Sequence, residues 1–123
     1  MDRIRVLLAD DNEEILDRVT TLLAADCDVV GAVRDGRQAL EAAQDLKPDV
    51  LVLDISMPVM NGIETARRLT EAGSETRIVF LTVHDDPNFA REALEAGALG
   101  YVIKQHIASD LVAAIKKAHA GRQ

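Results

Sequence analysis

Aromatic residues are scarce in this chain: two phenylalanines, one tyrosine and no tryptophan, 2% in all. Hydrophobic residues still make up 48%, so a core can form, but it has to be built from Leu, Val, Ile and Ala. Cysteine is nearly absent too. Cys27 stands alone, which excludes an internal disulfide and leaves nothing that calls for an oxidising compartment. Basic excess is lacking, with 14 Lys and Arg against 21 Asp and Glu, a net charge of −7. Such a balance argues against direct binding of nucleic acid by phosphate neutralisation. No apolar run is long enough to span a bilayer, and no charged start leads into one. His84, His106 and His119 lack metal-ligand spacing and read as ordinary surface or partly satisfied histidines. These absences leave a soluble, cytoplasmic protein as the expectation, with residues 1–123 forming one domain.

Two kinds of segment alternate along the chain. Short apolar, β-branched stretches occur at Arg5–Ala9, Asp28–Val33, Val50–Leu53, Ile78–Thr82 and Gly100–Ile103. Several are continuous apolar runs, as in strands buried on both faces of a parallel sheet. Between them lie amphipathic segments. In Asn12–Ala25 the residues Ile15, Val19, Leu22 and Leu23 recur at helical spacing, with Glu13 and Glu14 in the first turn, where the helix dipole favours acids. Gly36–Leu46 starts after a capping Asp35 and stops at Pro48. Gly62–Ala72, Pro87–Ala96 and Ile107–Ala120 are each followed by glycine, the usual helix stop. Strict alternation predicts an α/β domain, a doubly wound five-stranded parallel sheet covered by helices on both faces, since parallel strands need right-handed crossovers.

In such a sheet the loops after the strand C-termini line the ligand crevice. The first strand runs into Asp10 and Asp11, the third into Asp54, the fourth ends in Thr82, and the fifth leads into Lys104. The second ends near Arg34 and Asp35, without a comparable concentration of functional groups. Any one of these residues alone reads as a loop acid, a strand threonine or a solvated lysine. Together they place three carboxylates, a hydroxyl and an ammonium at one sheet edge. Crowded carboxylates repel, and a hard divalent cation such as Mg²⁺ relieves that conflict. With a cation present, one carboxylate can attack phosphorus while the metal, the lysine and the hydroxyl stabilise phosphoryl oxygens.

The strings LLADDNEEILDRVTTLL, DGRQALEAAQDLKPDVLVLDISMPVMNGIETARRL, IVFLTVHDD and EALEAGALGYVIK resemble a response-regulator receiver domain of two-component signalling along essentially the whole chain. The resemblance is carried by the acidic pair, the D-x-x-M-P-x-M-x-G loop, the Thr that ends the fourth strand, and A-x-G-x-x-G-Y-x-x-K. The wording is most similar to receivers of the NarL/LuxR-like subgroup, which precede a helix-turn-helix domain. It implies a flavodoxin-like (βα)5 fold with strand order 2-1-3-4-5. It further implies that Asp54 accepts a phosphoryl group from a sensor histidine kinase or a small phosphodonor. Asp10, Asp11, Asp54 and the Ser56 carbonyl would then hold Mg²⁺, Asp10 mainly through water. Thr82 and Lys104 would contact the transferred group, and Tyr101 would be the switch aromatic coupled to Thr82. Homodimerisation on phosphorylation and an output domain acting on transcription, outside these residues, complete the expected partners. A receiver of this kind is a signalling switch, not an enzyme with an external substrate.

Two positions depart from the family pattern. Val83 replaces a residue that is commonly small, and its bulk either crowds the pocket mouth or packs on neighbours. His84, one position further on, is a second candidate for controlling access of the hydrolytic water. Gln105 follows Lys104 where proline is frequent. A cis peptide at a non-proline bond costs about 2.5–4 kcal/mol, so both isomers stay open there. Other functions fit less well. A haloacid-dehalogenase-like phosphatase would want an acid at Ser56, and a flavodoxin-like nucleotide binder would want a Gly/Ser/Thr-rich first loop instead of Asp10-Asp11. A degenerate receiver acting as a constitutive interaction module has only Val83 in its favour.

Overall fold

The segment Val50–Asp54 (β3) is buried at all five positions, the signature of a central strand with covered faces. The computed structural model describes residues 3–83 and 86–120. Around β3 the strands Ile4–Ala9 (β1), Cys27–Val33 (β2), Arg77–Thr82 (β4) and Gly100–Ile103 (β5) pair in parallel, in the order β2-β1-β3-β4-β5. This is the flavodoxin-like receiver topology. The expected strand segments all form, with β1, β2 and β4 each starting one residue earlier and β3 reaching Asp54 itself.

Side-chain alternation along the strands divides the core into two layers. Val6, Leu8, Val50, Val52, Val79, Leu81 and Val102 face helices Glu13–Leu23 (α1) and Ile107–Ala120 (α5). Leu7, Ala9, Leu51, Leu53, Ile78 and Phe80 face Gly36–Leu46 (α2), Gly62–Glu71 (α3) and Pro87–Glu95 (α4). Alanines supply much of the second layer, at positions 39, 43, 66, 93, 96 and 98, which brings the helices close to the sheet. Cys27 is buried in the first layer, and burial pushes its thiol pKa up, away from the reactive thiolate.

Local chemistry sets the helix ends. Asn12 lies just outside α1 and caps it, its Oδ1 accepting from the Ile15 amide at 3.2 Å. Asp35 caps α2 through the Gln38 amide at 2.8 Å, as its sequence position predicts. At the other end, Gly73 (φ 77°) and Gly97 (φ 102°) take the left-handed conformation that stops α3 and α4. α2 stops instead on Lys47, a non-glycine residue at φ 49°, directly before Pro48. A short 3-10 turn, Lys104–His106, precedes α5. The glycine expected to stop α5, Gly121, lies outside the described residues. Among the described residues no helix is long and apolar enough to cross a membrane.

Candidate functional site

The C-terminal ends of β1, β3, β4 and β5 bring the acidic and basic candidates to one edge. The Asp10 amide still bonds to the Val33 carbonyl at 3.1 Å, so Asp10 continues the sheet and is only 1% exposed. Asp11, one residue further, is exposed. The Asn12 amide turns back to Asp10 Oδ1 at 2.9 Å, fixing that carboxylate. Asp54 ends the central strand at 4% exposure, and its Oδ1 accepts from the Ser56 amide at 3.3 Å. Behind it, Gly62 presses directly on the strand end. A Cβ at Gly62 would lie 2.3 Å from the Asp54 carbonyl oxygen and 2.9 Å from Ile55 Cα. The glycine of the loop motif therefore allows a close backbone approach.

One carboxylate oxygen from each of Asp10, Asp11 and Asp54 lies within 4.8 Å of the others. The Lys104 ammonium stands 2.8 Å from Asp10 Oδ2 and 3.5 Å from Asp54 Oδ2. Although that first distance is short, Asp10 Oδ2 is buried and accepts no hydrogen bond. The contact is thus an ion pair without hydrogen-bond direction, and it leaves a buried anionic oxygen with spare acceptor capacity. Burial, and then the neighbouring Asp10 charge, push the Asp54 pKa from 3.8 up to about 6, against the opposing pull of Lys104 and the Ser56 amide.

These residues fit a hard divalent cation. The donors are all oxygens, burial and crowding together raise a carboxyl pKa, and one is orphaned in the buried wall of the site. Mg²⁺ suits such a set, with Asp10, Asp11 and Asp54 as the side chains that would hold it.

The remaining described candidates sit on or next to β3, β4 and β5. Thr82 closes β4 and is 1% exposed. Tyr101 sits on β5 beside Phe80, half-buried against the α2–α3–α4 layer. Ser56 is exposed beside Asp54. Val83 is 56% exposed, so its side chain is not fixed by packing. His84 lies outside the described residues. No peptide among the described residues is cis, so Lys104 enters the site through a trans bond to Gln105 at the start of the 3-10 turn. Arg34 follows the last residue of β2 and matches no motif. Its Nη2 donates to the main-chain carbonyl of Asp11 at 3.3 Å. The strand-end rule had already put Arg34 at this edge, but a lone arginine carries no motif.

Residues 6–116 match the family described as "Response regulator receiver domain". The transcriptional regulatory protein LnrK of Bacillus subtilis (strain 168) is 34% identical over 120 residues, covering 96% of this chain and 54% of the relative. The chain spans about half the length of the curated relatives it matches. Among solved structures, the signal receiver domain of a response regulator designated NarL in Mycobacterium tuberculosis superposes with a TM-score of 0.94 at 31% identity, covering 99% of this chain and 100% of that one. A LuxR-family two-component response regulator from Aurantimonas sp. SI85-9A1 gives 0.93 at 32% identity, with 99% and 89% covered. On the strand order, the acidic edge and these matches, the chain belongs to the response regulator receiver domain family, among relatives of NarL/LuxR type.

Proposed function

We propose that this receiver is a Mg²⁺-dependent aspartyl-phosphate switch with Asp54 as its phosphoacceptor. The observation that carries the reading is the buried Asp54 carboxylate at the end of the central strand, flanked by two more carboxylates and by Lys104. A bound Mg²⁺ would supply charge neutralisation for the carboxylates and the incoming phosphoryl oxygens. Asp10, Asp11 and Asp54 would hold it, with the Ser56 carbonyl as a further ligand. Asp54 then acts as nucleophile. Its oxygen bonds to phosphorus as the bond to a kinase histidine nitrogen, or to a small donor's oxygen, breaks, and the leaving group keeps that electron pair. Lys104 and Thr82 stabilise the oxygens of the transferred group. This chemistry turns over only the protein's own phosphoryl group, so the product is a state of the switch.

Thr82 and Tyr101 lie on adjacent strands, the last position of β4 and the second of β5. Tyr101 is level with Phe80, two residues before Thr82 on the same side of the sheet, a placement that supports a two-state coupling from the site to the α4–β5–α5 face. The donor is proposed to be a sensor histidine kinase. The output is proposed to be transcription, through a helix-turn-helix domain in a longer regulator headed by this domain, with homodimerisation as the phosphorylated response.

Incubation with acetyl phosphate and Mg²⁺ tests the reading. One base-labile, acid-stable phosphoryl group is expected by intact mass, absent in Asp54→Asn and in EDTA. Equal labelling of the Asn variant would remove Asp54 from the mechanism.

A further inference from the structure

We infer that Arg34 is a positioning residue for the cation site, holding the loop that presents the Asp11 carboxylate. The inference rests on the reading of Asp11 as a metal ligand. Val33 pairs with Ala9 as the last residues of β2 and β1, and the Asp10 amide bonds back to the Val33 carbonyl. Arg34 is therefore level with the acidic pair on the neighbouring strand.

Its backbone is anchored there. The Arg34 amide donates to Gln38 Oε1 at 3.1 Å, while the Gln38 amide donates to Asp35 Oδ1 at 2.8 Å. This reciprocal pair, a variant of the capping box, ties the β2–α2 junction to the first turn of α2. From that fixed base the guanidinium crosses to the Asp11 carbonyl at 3.3 Å. Among the described residues it forms no ion pair with a carboxylate, despite three of them in the adjacent pocket. The contact goes to a neutral main-chain oxygen and leaves the Asp11 carboxylate available.

Asp11 needs such a tether more than its neighbours. Asp10 is buried and held by the sheet and by Asn12, and Asp54 lies within β3. Asp11 is exposed, between the end of β1 and the cap of α1. A ligand on a loose loop must be ordered when metal binds, and that ordering has an entropic cost. A hydrogen bond that orders it beforehand reduces that cost.

Charge and tether predict opposite signs. Arg34 as a mere neighbouring cation would repel Mg²⁺, so its removal would tighten binding. Arg34 as a tether makes its removal weaken binding, by about two- to tenfold for one hydrogen bond. Titration calorimetry of Mg²⁺ into wild type, Arg34→Ala, Arg34→Lys and Asp11→Ala separates these. Weaker binding in Arg34→Ala, part-recovered in Arg34→Lys because an ammonium also donates to a carbonyl, is the expected result. In EDTA, amide hydrogen exchange at residues 11–13 should quicken in Arg34→Ala, with the melting temperature held near wild type. Unchanged or tighter Mg²⁺ binding in Arg34→Ala, with Asp11→Ala strongly impaired, would overturn the tether alone. Wild-type binding in Asp11→Ala would overturn the ligand reading and the tether with it.

Discussion

Lys104 Nζ lies 2.8 Å from Asp10 Oδ2, yet that oxygen accepts no hydrogen bond. The ammonium offsets negative charge without satisfying the carboxylate's directional needs. In the metal-free protein it is the counter-charge for a buried acid pair, since it also reaches Asp54 at 3.5 Å. Removing it should destabilise that state, because a buried charge left without its partner costs about 3–5 kcal/mol at full burial; Lys104 is 14% exposed, which places the effect towards the lower end. Mg²⁺ should restore what the lysine supplied. Lys104→Ala is therefore expected to melt earlier than wild type in EDTA and to gain more on adding millimolar Mg²⁺, with equal or higher Mg²⁺ affinity. Scanning calorimetry with and without Mg²⁺ checks this, and a Lys104→Ala protein that lost Mg²⁺ binding would contradict it.

The raised pKa of Asp54 carries its own pH dependence. Its carboxyl holds a proton up to about 6 in the folded metal-free protein, against an ordinary value of 3.8. The folded state thus binds protons more tightly than the unfolded chain. The favourable contribution is complete below the ordinary value and is lost as pH rises through about 6. In EDTA, the stability difference between wild type and Asp54→Asn should therefore shift against wild type between pH 4 and pH 7.5. At the upper pH the Asn variant should be the more stable, by about 2–3 kcal/mol at most. Urea midpoints at a series of pH values measure the difference, in which titrations of groups remote from Asp54 cancel.

Legibility in the sequence followed the physics of each element. The strands were legible because burial on both faces leaves continuous apolar runs such as VLVL, and the strand-end rule then gathered Asp10, Asp11, Asp54, Thr82 and Lys104 at one edge. Element ends were less so. Asn12 reads as helical by its neighbours' periodicity, but its side chain competes for the Ile15 amide and so caps α1 from outside. The 3-10 turn at Lys104–His106 has no periodicity of its own to announce it. Arg34 and Gly62 act through main-chain oxygens of Asp11 and Asp54, and no residue pattern encodes which carbonyl a side chain or a bare Cα will meet.

Gly62 and Gly73 bracket α3 and should respond differently to alanine. At Gly62 the new methyl would meet backbone atoms of Asp54 and Ile55, which cannot step aside as a side chain would. Overpacking of this sort typically costs about 1–3 kcal/mol, and here it should also move Asp54, the proposed phosphoacceptor. Gly73 has open space for a methyl but a φ of 77°, so alanine there costs about 1 kcal/mol in backbone strain alone. Both variants should be destabilised to urea. Only Gly62→Ala should also lose Mg²⁺ affinity and phosphorylation rate, and normal site function in that variant would show that the close approach does not position Asp54.

Val83 follows Thr82 directly and is 56% exposed. An in-line displacement at Asp54 needs a clear path for the donor and, later, for water. A β-branched side chain has few rotamers with which to move aside. Its exposure gives it no tight packing among the described residues, and we propose crowding of the pocket mouth as the consequence of the departure from a small residue. Valine should then slow both gain and loss of the phosphoryl group while leaving the charges of the site unchanged. Val83→Ala is expected to phosphorylate faster from acetyl phosphate and to dephosphorylate faster once the donor is removed, with the same Mg²⁺ affinity and nearly the same stability, since little buried area is lost. Rates measured by intact mass over time decide the matter. Acceleration of both steps identifies Val83 as a gate, whereas two unchanged rates would leave its bulk without effect on access.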